Sequence, residues 1–136
     1  MGIALTKSSI DLGIVTSNGP AMLAFYRDLL GLTYEGEMAM PGKGVMHRLM
    51  CGDSLIKLRV MPAEPALNPS APGGIQKAAG LRYWTMTISN LTEMVKACAD
   101  AGTPIVVPET EFRPGVFIAI VTDPDGNWVE FLSLPR

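Results

Sequence analysis

Residues 123–132 read DPDGNWVEFL, a turn followed by a short apolar strand with a carboxylate, Glu130, in its middle. Residues 54–60 read SLIKLRV and pose the same problem with the opposite charge, because Lys57 lies between two aliphatic side chains. A charge buried in a strand is costly unless it is paired. Each of the two charges is therefore predicted to have a partner or a function.

The two charged strands close two segments that share one order of elements, which hydrophobic periodicity and turn signals predict as strand, helix and three strands. The first segment has a strand at 10–17, a helix that Asn18 or Gly19 caps and Gly31 ends, and strands at 33–39, 45–51 and 54–60. The second has a strand at 82–89, a helix that Asn90 caps and Gly102 ends, and strands at 104–107, 115–122 and 127–133.

Equivalent positions in the two segments are separated by a nearly constant number of residues. The separation is 72 for the capping asparagines, 71 for the helix-ending glycines and 74 for the glycines before the final strands. A constant offset is typical of a duplicated unit. The sequence therefore predicts a single α+β domain over 1–136, with module one at about 8–60, a linker at 61–80 and module two at about 81–136. The proline-rich linker is interpreted as a lid, an arm on a partner subunit or a plain connector.

The composition excludes several classes of protein. The chain has 136 residues, of which 48% are hydrophobic and 18% charged, and this balance is typical of one folded domain. A net charge of −2 without a basic run argues against nucleic acid as a partner. No apolar run approaches the roughly 20 residues of a membrane span, and residues 1–13 do not resemble a signal peptide. Cys51 and Cys98 are predicted to be free thiols, which indicates a cytoplasmic protein.

Two motifs resemble those of a known superfamily. LAFYRDLLGL at 23–32 resembles the signature helix, and DPDGNWVEFL at 123–132 the terminal motif, of the vicinal oxygen chelate superfamily. This group includes glyoxalase I, bleomycin-resistance proteins, extradiol dioxygenases and methylmalonyl-CoA epimerase. The resemblance implies two βαβββ modules that form a half-barrel around a cavity, and a homodimer. It does not specify a reaction, because the superfamily hosts many.

The resemblance also implies four metal-ligand positions, one on the first and one on the last strand of each module. They fall on Asp11, Lys57, Tyr83 and Glu130. Tyr83 follows Asp11 by 72 residues and Glu130 follows Lys57 by 73, in agreement with the internal repeat. Lys57 and Glu130 are therefore expected to point into one cavity and to pair with each other.

The residue types at these positions depart from the family pattern of His, Glu or Gln. The Lys57 ammonium is a cation without a lone pair, so it repels a divalent metal. Tyr83 is a poor ligand, since the reference pKa of a tyrosine is about 10. We therefore expect no metal at this site and no cofactor, with Lys57 as a fixed positive charge in the metal's place.

These four side chains have two interpretations. In the functional one, Lys57 polarises a substrate oxygen, Glu130 or Asp11 moves a proton, and Tyr83 donates a hydrogen bond to developing negative charge. In the structural one, the same side chains form an internal network of ion pairs.

Four more residues are candidates for binding a substrate. Arg59 shares the strand face of Lys57, and Arg48 lies opposite Lys57 if the turn at 52–53 has two residues. Each is alternatively a solvated arginine at the rim. Trp128 shares the face of Glu130 and is expected to stack on a flat ligand. Met50 is one of nine methionines, which are interpreted as core filling or as the lining of an apolar cavity.

Two aromatic or titratable residues outside the candidate site have predicted orientations. With a two-residue turn, the single histidine, His47, points to the helix side of its sheet; with a longer turn it points inward. Trp84 alternates with Tyr83 and is predicted to face the helices.

The sequence leaves three functions open. The first is a metal-independent lyase or isomerase that acts on a small, largely apolar carbonyl compound by proton transfer. The second is a binding protein that sequesters an apolar or planar molecule, as bleomycin-resistance members do. The third is a metal-dependent enzyme of the glyoxalase or dioxygenase kind, with His47 in its site. Extradiol cleavage fits least, because it uses two histidines and a glutamate.

Overall fold

The computed structural model describes residues 2–41, 44–62 and 74–135. The chain divides into two compact units, Met1–Leu67 and Asn68–Arg136. Most of the predicted linker, residues 63–73, lies outside the described residues.

Unit 1 contains the first module. Its elements are strand β1 (Leu12–Thr16), helix α1 (Gly19–Leu23), which continues as a π-helical segment (Ala24–Leu29), and strands β2 (Thr33–Ala39), β3 (Val45–Cys51) and β4 (Ser54–Val60). The strands form one sheet in the order β1-β4-β3-β2. β1 and β4 are parallel and the other neighbours are antiparallel.

Unit 2 repeats this plan. After a short 3-10 helix (Gly74–Gln76) come strand β5 (Tyr83–Thr87), helix α2 (Leu91–Asp100) and strands β6 (Ile105–Arg113), β7 (Val116–Thr122) and β8 (Trp128–Ser133). The sheet order is β5-β8-β7-β6, again with the first pair parallel. The same topology in both units confirms the predicted α+β fold of two βαβββ modules. Across the described ranges, no helix is long and apolar enough to cross a membrane.

One predicted strand was much too short. The strand predicted at 104–107 is β6, which runs from Ile105 to Arg113. It lies at the edge of its sheet, and its pairing with β7 has several register shifts. Almost all its residues from Pro108 onward are exposed, so they show no alternation of apolar and polar side chains. Proline and charged residues are common on such edges.

The helix starts also differ from the prediction in one respect. Asn18 and Asn90 occupy the positions that precede α1 and α2, but neither side chain makes a capping hydrogen bond. The main-chain carbonyls of the two asparagines accept instead, from Met22 and Met94 at 3.0 Å.

Both helices end at a glycine, as predicted. Gly31 and Gly102 have φ angles of 76° and 78°, a left-handed conformation that glycine adopts without a steric penalty.

Each helix packs against one face of its own sheet. In unit 1, Met22, Phe25 and Tyr26 are buried on the helix, and Leu49, Ile56 and Leu58 are buried on the strands. In unit 2 the buried side chains on the helix and on the helix side of the sheet are those of Leu91, Cys98, Met86, Ala119, Val121, Val129 and Phe131. Because strand side chains alternate, the residues between these positions lie on the opposite face of each sheet. That opposite face, called the outer face below, carries the predicted site residues.

Both cysteines are free thiols, as predicted. Cys51 ends β3 and is half-buried, whereas Cys98 is buried on α2. Burial raises the pKa of both thiols above the ordinary cysteine value, so both are neutral and weakly nucleophilic at neutral pH.

Candidate functional site

Lys57 lies at the centre of the outer face of unit 1. Its backbone neighbours are Gly13 on β1 and Arg48 on β3. Gly13 has no side chain, so β1 leaves the space beside Lys57 open. The pairing of Cys51 with Ser54 shows a two-residue turn, which confirms the predicted register of Arg48 opposite Lys57.

Arg59 continues this cluster along β4. It lies two residues after Lys57 on the same face, and its neighbour on β3 is Met46. Arg48, Lys57 and Arg59 are all half-buried. Inside unit 1, as far as it is described, the three cations make no ion pair or hydrogen bond through their side chains. The Nε atom of Arg59 is fully buried without a hydrogen-bond partner.

Asp11 precedes β1 and already has partners. Its Oδ1 atom accepts hydrogen bonds from Lys7 Nζ at 2.7 Å and from the Leu55 N–H at 2.8 Å. The hydrogen bond from Lys7 is the largest cause that lowers the pKa of Asp11, followed by the Leu55 N–H, and the charge of Lys57 adds to the effect. A carboxylate with a lowered pKa is a weaker base, so Asp11 is poorly suited to accept a proton at neutral pH.

Glu130 occupies in unit 2 the place that Lys57 has in unit 1. It lies in the middle of β8, with Thr85 on β5 and Ile120 on β7 as backbone neighbours. The Thr85 hydroxyl donates a hydrogen bond of 2.8 Å to Glu130 Oε1. Among the described residues of unit 2, no cation pairs with Glu130.

Tyr83 and Trp128 are neighbours on the adjacent parallel strands β5 and β8, at the start of each strand. Tyr83 is 51% exposed. Gly74 packs directly on the indole ring of Trp128, and a Cβ atom at this position would overlap the ring. Arg82 Nε donates a hydrogen bond of 2.7 Å to the Gly74 carbonyl. The chain itself thus covers one face of Trp128, and stacking on a ligand stays a prediction for the other face.

His47 points to the helix side of the sheet, as the two-residue turn predicts. It pairs with Leu58, which is fully buried, and Nδ1 lies 2.8 Å from the Tyr34 hydroxyl. Glu37 Oε2 lies 3.9 Å from the same nitrogen. The histidine is therefore on the opposite face from Lys57. Trp84 likewise shares the helix side with its buried neighbour Val129, as predicted.

Met50 lies on the outer face, where it pairs with Leu55. It is half-buried, as is Met46 on the same strand and face. Met86, by contrast, is 8% exposed and belongs to the core of unit 2. Met86 therefore fills the core, and the lining of an apolar cavity by Met46 and Met50 stays a prediction.

Asp123 is a site-supporting residue that the sequence interpretation missed. Only 2% of it is exposed, and its carboxylate accepts hydrogen bonds from the Asp125 N–H at 2.9 Å, the Asn127 N–H at 2.9 Å and the Asn127 side chain at 2.8 Å. The Gly126 N–H also donates to the Asp123 carbonyl at 2.9 Å, which closes the predicted turn. Asp123 thereby fixes the start of β8 and the placement of Glu130. Aspartate at the first position of a turn is the available sequence signal.

The comparisons with known proteins agree with this architecture. Residues 10–131 match the family model of the Glyoxalase/Bleomycin resistance protein/Dioxygenase superfamily. The chain belongs to this superfamily. A search of curated proteins finds no significant match.

Solved structures of the superfamily are similar in fold. A glyoxalase family protein from Bacillus cereus is 16% identical, with 98% of this chain and 97% of that chain covered and a TM-score of 0.82. A glyoxalase/dioxygenase from Nostoc punctiforme is 17% identical, with coverages of 100% and 99% and a TM-score of 0.75. Lactoylglutathione lyase from Agrobacterium tumefaciens is 21% identical, with coverages of 95% and 96% and a TM-score of 0.64. At these identities the likeness concerns the fold alone.

The residues at the superfamily's metal-ligand positions do not fit a divalent metal. In unit 1 these positions hold Asp11, whose Oδ1 is bonded to Lys7 and Leu55, and the Lys57 ammonium. In unit 2 they hold an exposed tyrosine, Tyr83, and Glu130, which accepts from Thr85. In the described part of the chain, no three His, Cys, Asp or Glu side chains are grouped to hold a metal. A cation at a ligand position opposes metal binding directly.

Proposed function

We propose that the chain is a metal-independent lyase or isomerase that acts on a small, largely apolar carbonyl compound by proton transfer. The observation that carries the proposal is the environment of Lys57. Lys57 lies in the middle of the outer face of unit 1, and no carboxylate of that unit's described residues is within ion-pair distance of its ammonium. A half-buried charge without a partner is costly for the fold alone, so a ligand oxygen is its natural partner.

The proposed reaction begins at a C–H bond beside the carbonyl group. A carboxylate takes this proton, the electron pair of the C–H bond moves into a new C=C bond, and negative charge develops on the carbonyl oxygen. The Lys57 ammonium donates a hydrogen bond to that oxygen and stabilises the enolate. Return of a proton to the same or another carbon completes an isomerisation, and loss of a leaving group completes an elimination.

Glu130 is the better candidate for the proton-accepting carboxylate. Asp11 has a pKa below its ordinary value because of its hydrogen bonds to Lys7 and Leu55. Glu130 accepts only one hydrogen bond in unit 2, from Thr85, which orients the carboxylate and leaves one oxygen available. Tyr83 is proposed as a further hydrogen-bond donor to the substrate. The resemblance to the superfamily favours a homodimer, and the two free thiols favour the cytoplasm.

A second candidate function is sequestration of an apolar molecule. It is favoured by the methionines on the outer face of unit 1, since Met46 and Met50 are half-buried there and Met38 is 49% exposed. Methionine side chains adapt to irregular apolar ligands. In this function Lys57 fixes the orientation of a ligand oxygen without chemistry.

The test is hydrogen exchange in heavy water. A panel of small ketones and aldehydes, with methyl isobutyl ketone as the reference compound, is incubated with the protein, and deuterium beside the carbonyl group is measured by mass spectrometry. We expect the wild type to catalyse exchange and Lys57→Met to lower the rate by at least about 100-fold. Lys96→Met removes an exposed lysine of α2 that pairs with Asp100, and it should leave the rate unchanged.

The outcomes separate the two candidate functions. Full exchange by the Lys57→Met variant overturns the catalytic role of Lys57. Binding of the ketone by the wild type without any exchange favours sequestration over catalysis.

A further inference from the structure

The outer faces of the two sheets carry different charges at equivalent places. In unit 1, Arg48 pairs with Lys57 and Met46 pairs with Arg59. In unit 2 the corresponding pairs are Ile120 with Glu130 and Ile118 with Leu132. The fold therefore accepts aliphatic residues where unit 1 has Arg48 and Arg59. Neither arginine is needed to form this kind of sheet.

Within the described part of unit 1, the two arginines also have no side-chain partners that would explain them structurally. In the described part of unit 1, neither guanidinium makes an ion pair. Both lie next to Lys57, so each cation repels the other two. The buried Nε of Arg59 has no hydrogen-bond acceptor, and an unsatisfied buried donor destabilises the folded state.

We infer that Arg48, Arg59 and Lys57 form a subsite for an oxyanion, so that the substrate carries a carboxylate or phosphate group close to its carbonyl group. This inference rests on the proposed function and names its substrate class. Guanidinium groups bind such oxyanions through pairs of parallel hydrogen bonds. An anion here offsets the repulsion among the three cations.

The residues around the cations define the rest of the ligand. Met46 and Met50 flank Arg48 on β3, and Leu55 precedes Lys57 on the same face of β4. Cross-strand neighbours are about 5 Å apart, so these apolar side chains lie within one small molecule's length of the cations. The ligand is therefore a short oxo acid or oxo phosphate with an aliphatic chain.

The experiment compares three probes that share one aliphatic chain. They are ketoisocaproate, its uncharged methyl ester, and isobutyl phosphate. Binding is followed by the isotope-labelled methyl signals of Met46 and Met50 in nuclear magnetic resonance titrations. We expect the oxo acid to bind at least about tenfold more tightly than the ester, because charge-assisted hydrogen bonds are the stronger ones. Comparison of the affinities for isobutyl phosphate and for the oxo acid shows which oxyanion the subsite prefers.

Variants test whether the arginines cause this difference. Arg48→Gln and Arg59→Gln should each weaken binding of the oxo acid by about tenfold and leave binding of the ester unchanged. Unchanged ester binding also shows that each variant is folded. The matched control is Arg113→Gln, which removes an exposed arginine at the end of β6.

Three results contradict the inference. An ester that binds as tightly as the oxo acid overturns the oxyanion subsite, as do arginine variants that bind the oxo acid with full affinity. In either case, continued ketone exchange dependent on Lys57 leaves the proposed function in place. Absence of binding by all three probes, together with absence of ketone exchange, overturns both.

Discussion

The two sheets of this protein have the same strand order, but their outer faces carry different charges at equivalent positions. In each sheet, the first strand of the module lies next to the last strand and parallel to it. On the outer faces, unit 1 has the neighbouring cations Arg48, Lys57 and Arg59, whereas unit 2 has Glu130 between Thr85 and Ile120. The helix sides of both sheets, by contrast, are mostly apolar, with Leu49, Ile56 and Leu58 buried in unit 1 and Val121, Val129 and Phe131 buried in unit 2. The helix-side residues therefore determine the fold, and the outer-face residues are free to serve a ligand.

The two helices differ as well. α2 is a regular helix of ten residues, whereas α1 has five residues and continues into six π-helical residues. In that segment the Leu30 N–H donates to the Phe25 carbonyl at 2.9 Å. The wider turn buries the consecutive Phe25 and Tyr26, whose rings meet edge to face at 4.8 Å. Here the π segment has a packing role, although such segments are frequent at functional sites.

The largest expected difference in stability is between variants in the two turns that precede the last strand of each unit. Asp123→Ala removes a buried carboxylate that accepts three hydrogen bonds and holds the turn before β8. We expect a loss of about 3 kcal/mol in the free energy of unfolding. The control is Asp53→Ala in the equivalent turn of unit 1, where the side chain is exposed and a change near zero is expected. Urea denaturation of both variants measures the difference, and equal losses would contradict it.

The packing of Gly74 on Trp128 has no counterpart in unit 1, where Leu55 stands in place of the tryptophan. In Gly74→Ala the new methyl group overlaps the indole ring, and φ is 62°. We expect a loss of about 2 kcal/mol, from displaced packing and backbone strain. Gly102→Ala has a φ of 78° but open space, so it should lose only about 1 kcal/mol. Thermal unfolding compares them, and tryptophan fluorescence should change only in Gly74→Ala.

Replacing a cation of unit 1 by its equivalent in unit 2 should stabilise the protein. Arg59→Leu introduces the residue found at the equivalent position 132 and removes the unsatisfied Nε. We expect a gain of about 1 kcal/mol in the free energy of unfolding, together with loss of oxo acid binding. A lower free energy of unfolding for this variant in urea denaturation would show that Arg59 has a structural partner. It would contradict the proposed difference between the two outer faces.

The smallest effect concerns the pair of equivalent residues Asp11 and Tyr83. The hydrogen bonds from Lys7 and Leu55 lower the pKa of Asp11 in the folded state, so its carboxylate contributes stability above the unfolded-state pKa of about 3.9. That contribution is lost as the pH falls through the lower folded-state pKa. Asp11→Asn should therefore destabilise slightly at neutral pH and match the wild type in acid. Urea denaturation across this range, with Tyr83→Phe as a pH-independent control, checks the trend.

The sequence predicted much of the fold because its signals are local. β2, β3 and β4 begin and end at the predicted residues, since alternation and the Gly52–Asp53 turn define them. Only the first residues of β6 were predicted, because the rest of this strand lies exposed at the sheet edge and needs no apolar face. The π segment escaped prediction because the same apolar positions are compatible with an α-helix.

The candidate site was predictable only in part. The two-residue turn predicted the register of Arg48 and the side of His47, because strand side chains alternate. The ion pair of Asp11 and the cover on Trp128 come from Lys7 and Gly74, which lie outside the strands. Contacts of that kind depend on how loops fold back, and no sequence periodicity reports them.

The central claim is that the Lys57 ammonium replaces the metal ion used elsewhere in the superfamily. Its most direct test is the rate of deuterium incorporation into methyl isobutyl ketone before and after exhaustive dialysis of the wild-type protein against EDTA. We expect the same rate in both samples and no increase when manganese, nickel or zinc ions are added. A rate that disappears on dialysis and returns with one of these ions would contradict it.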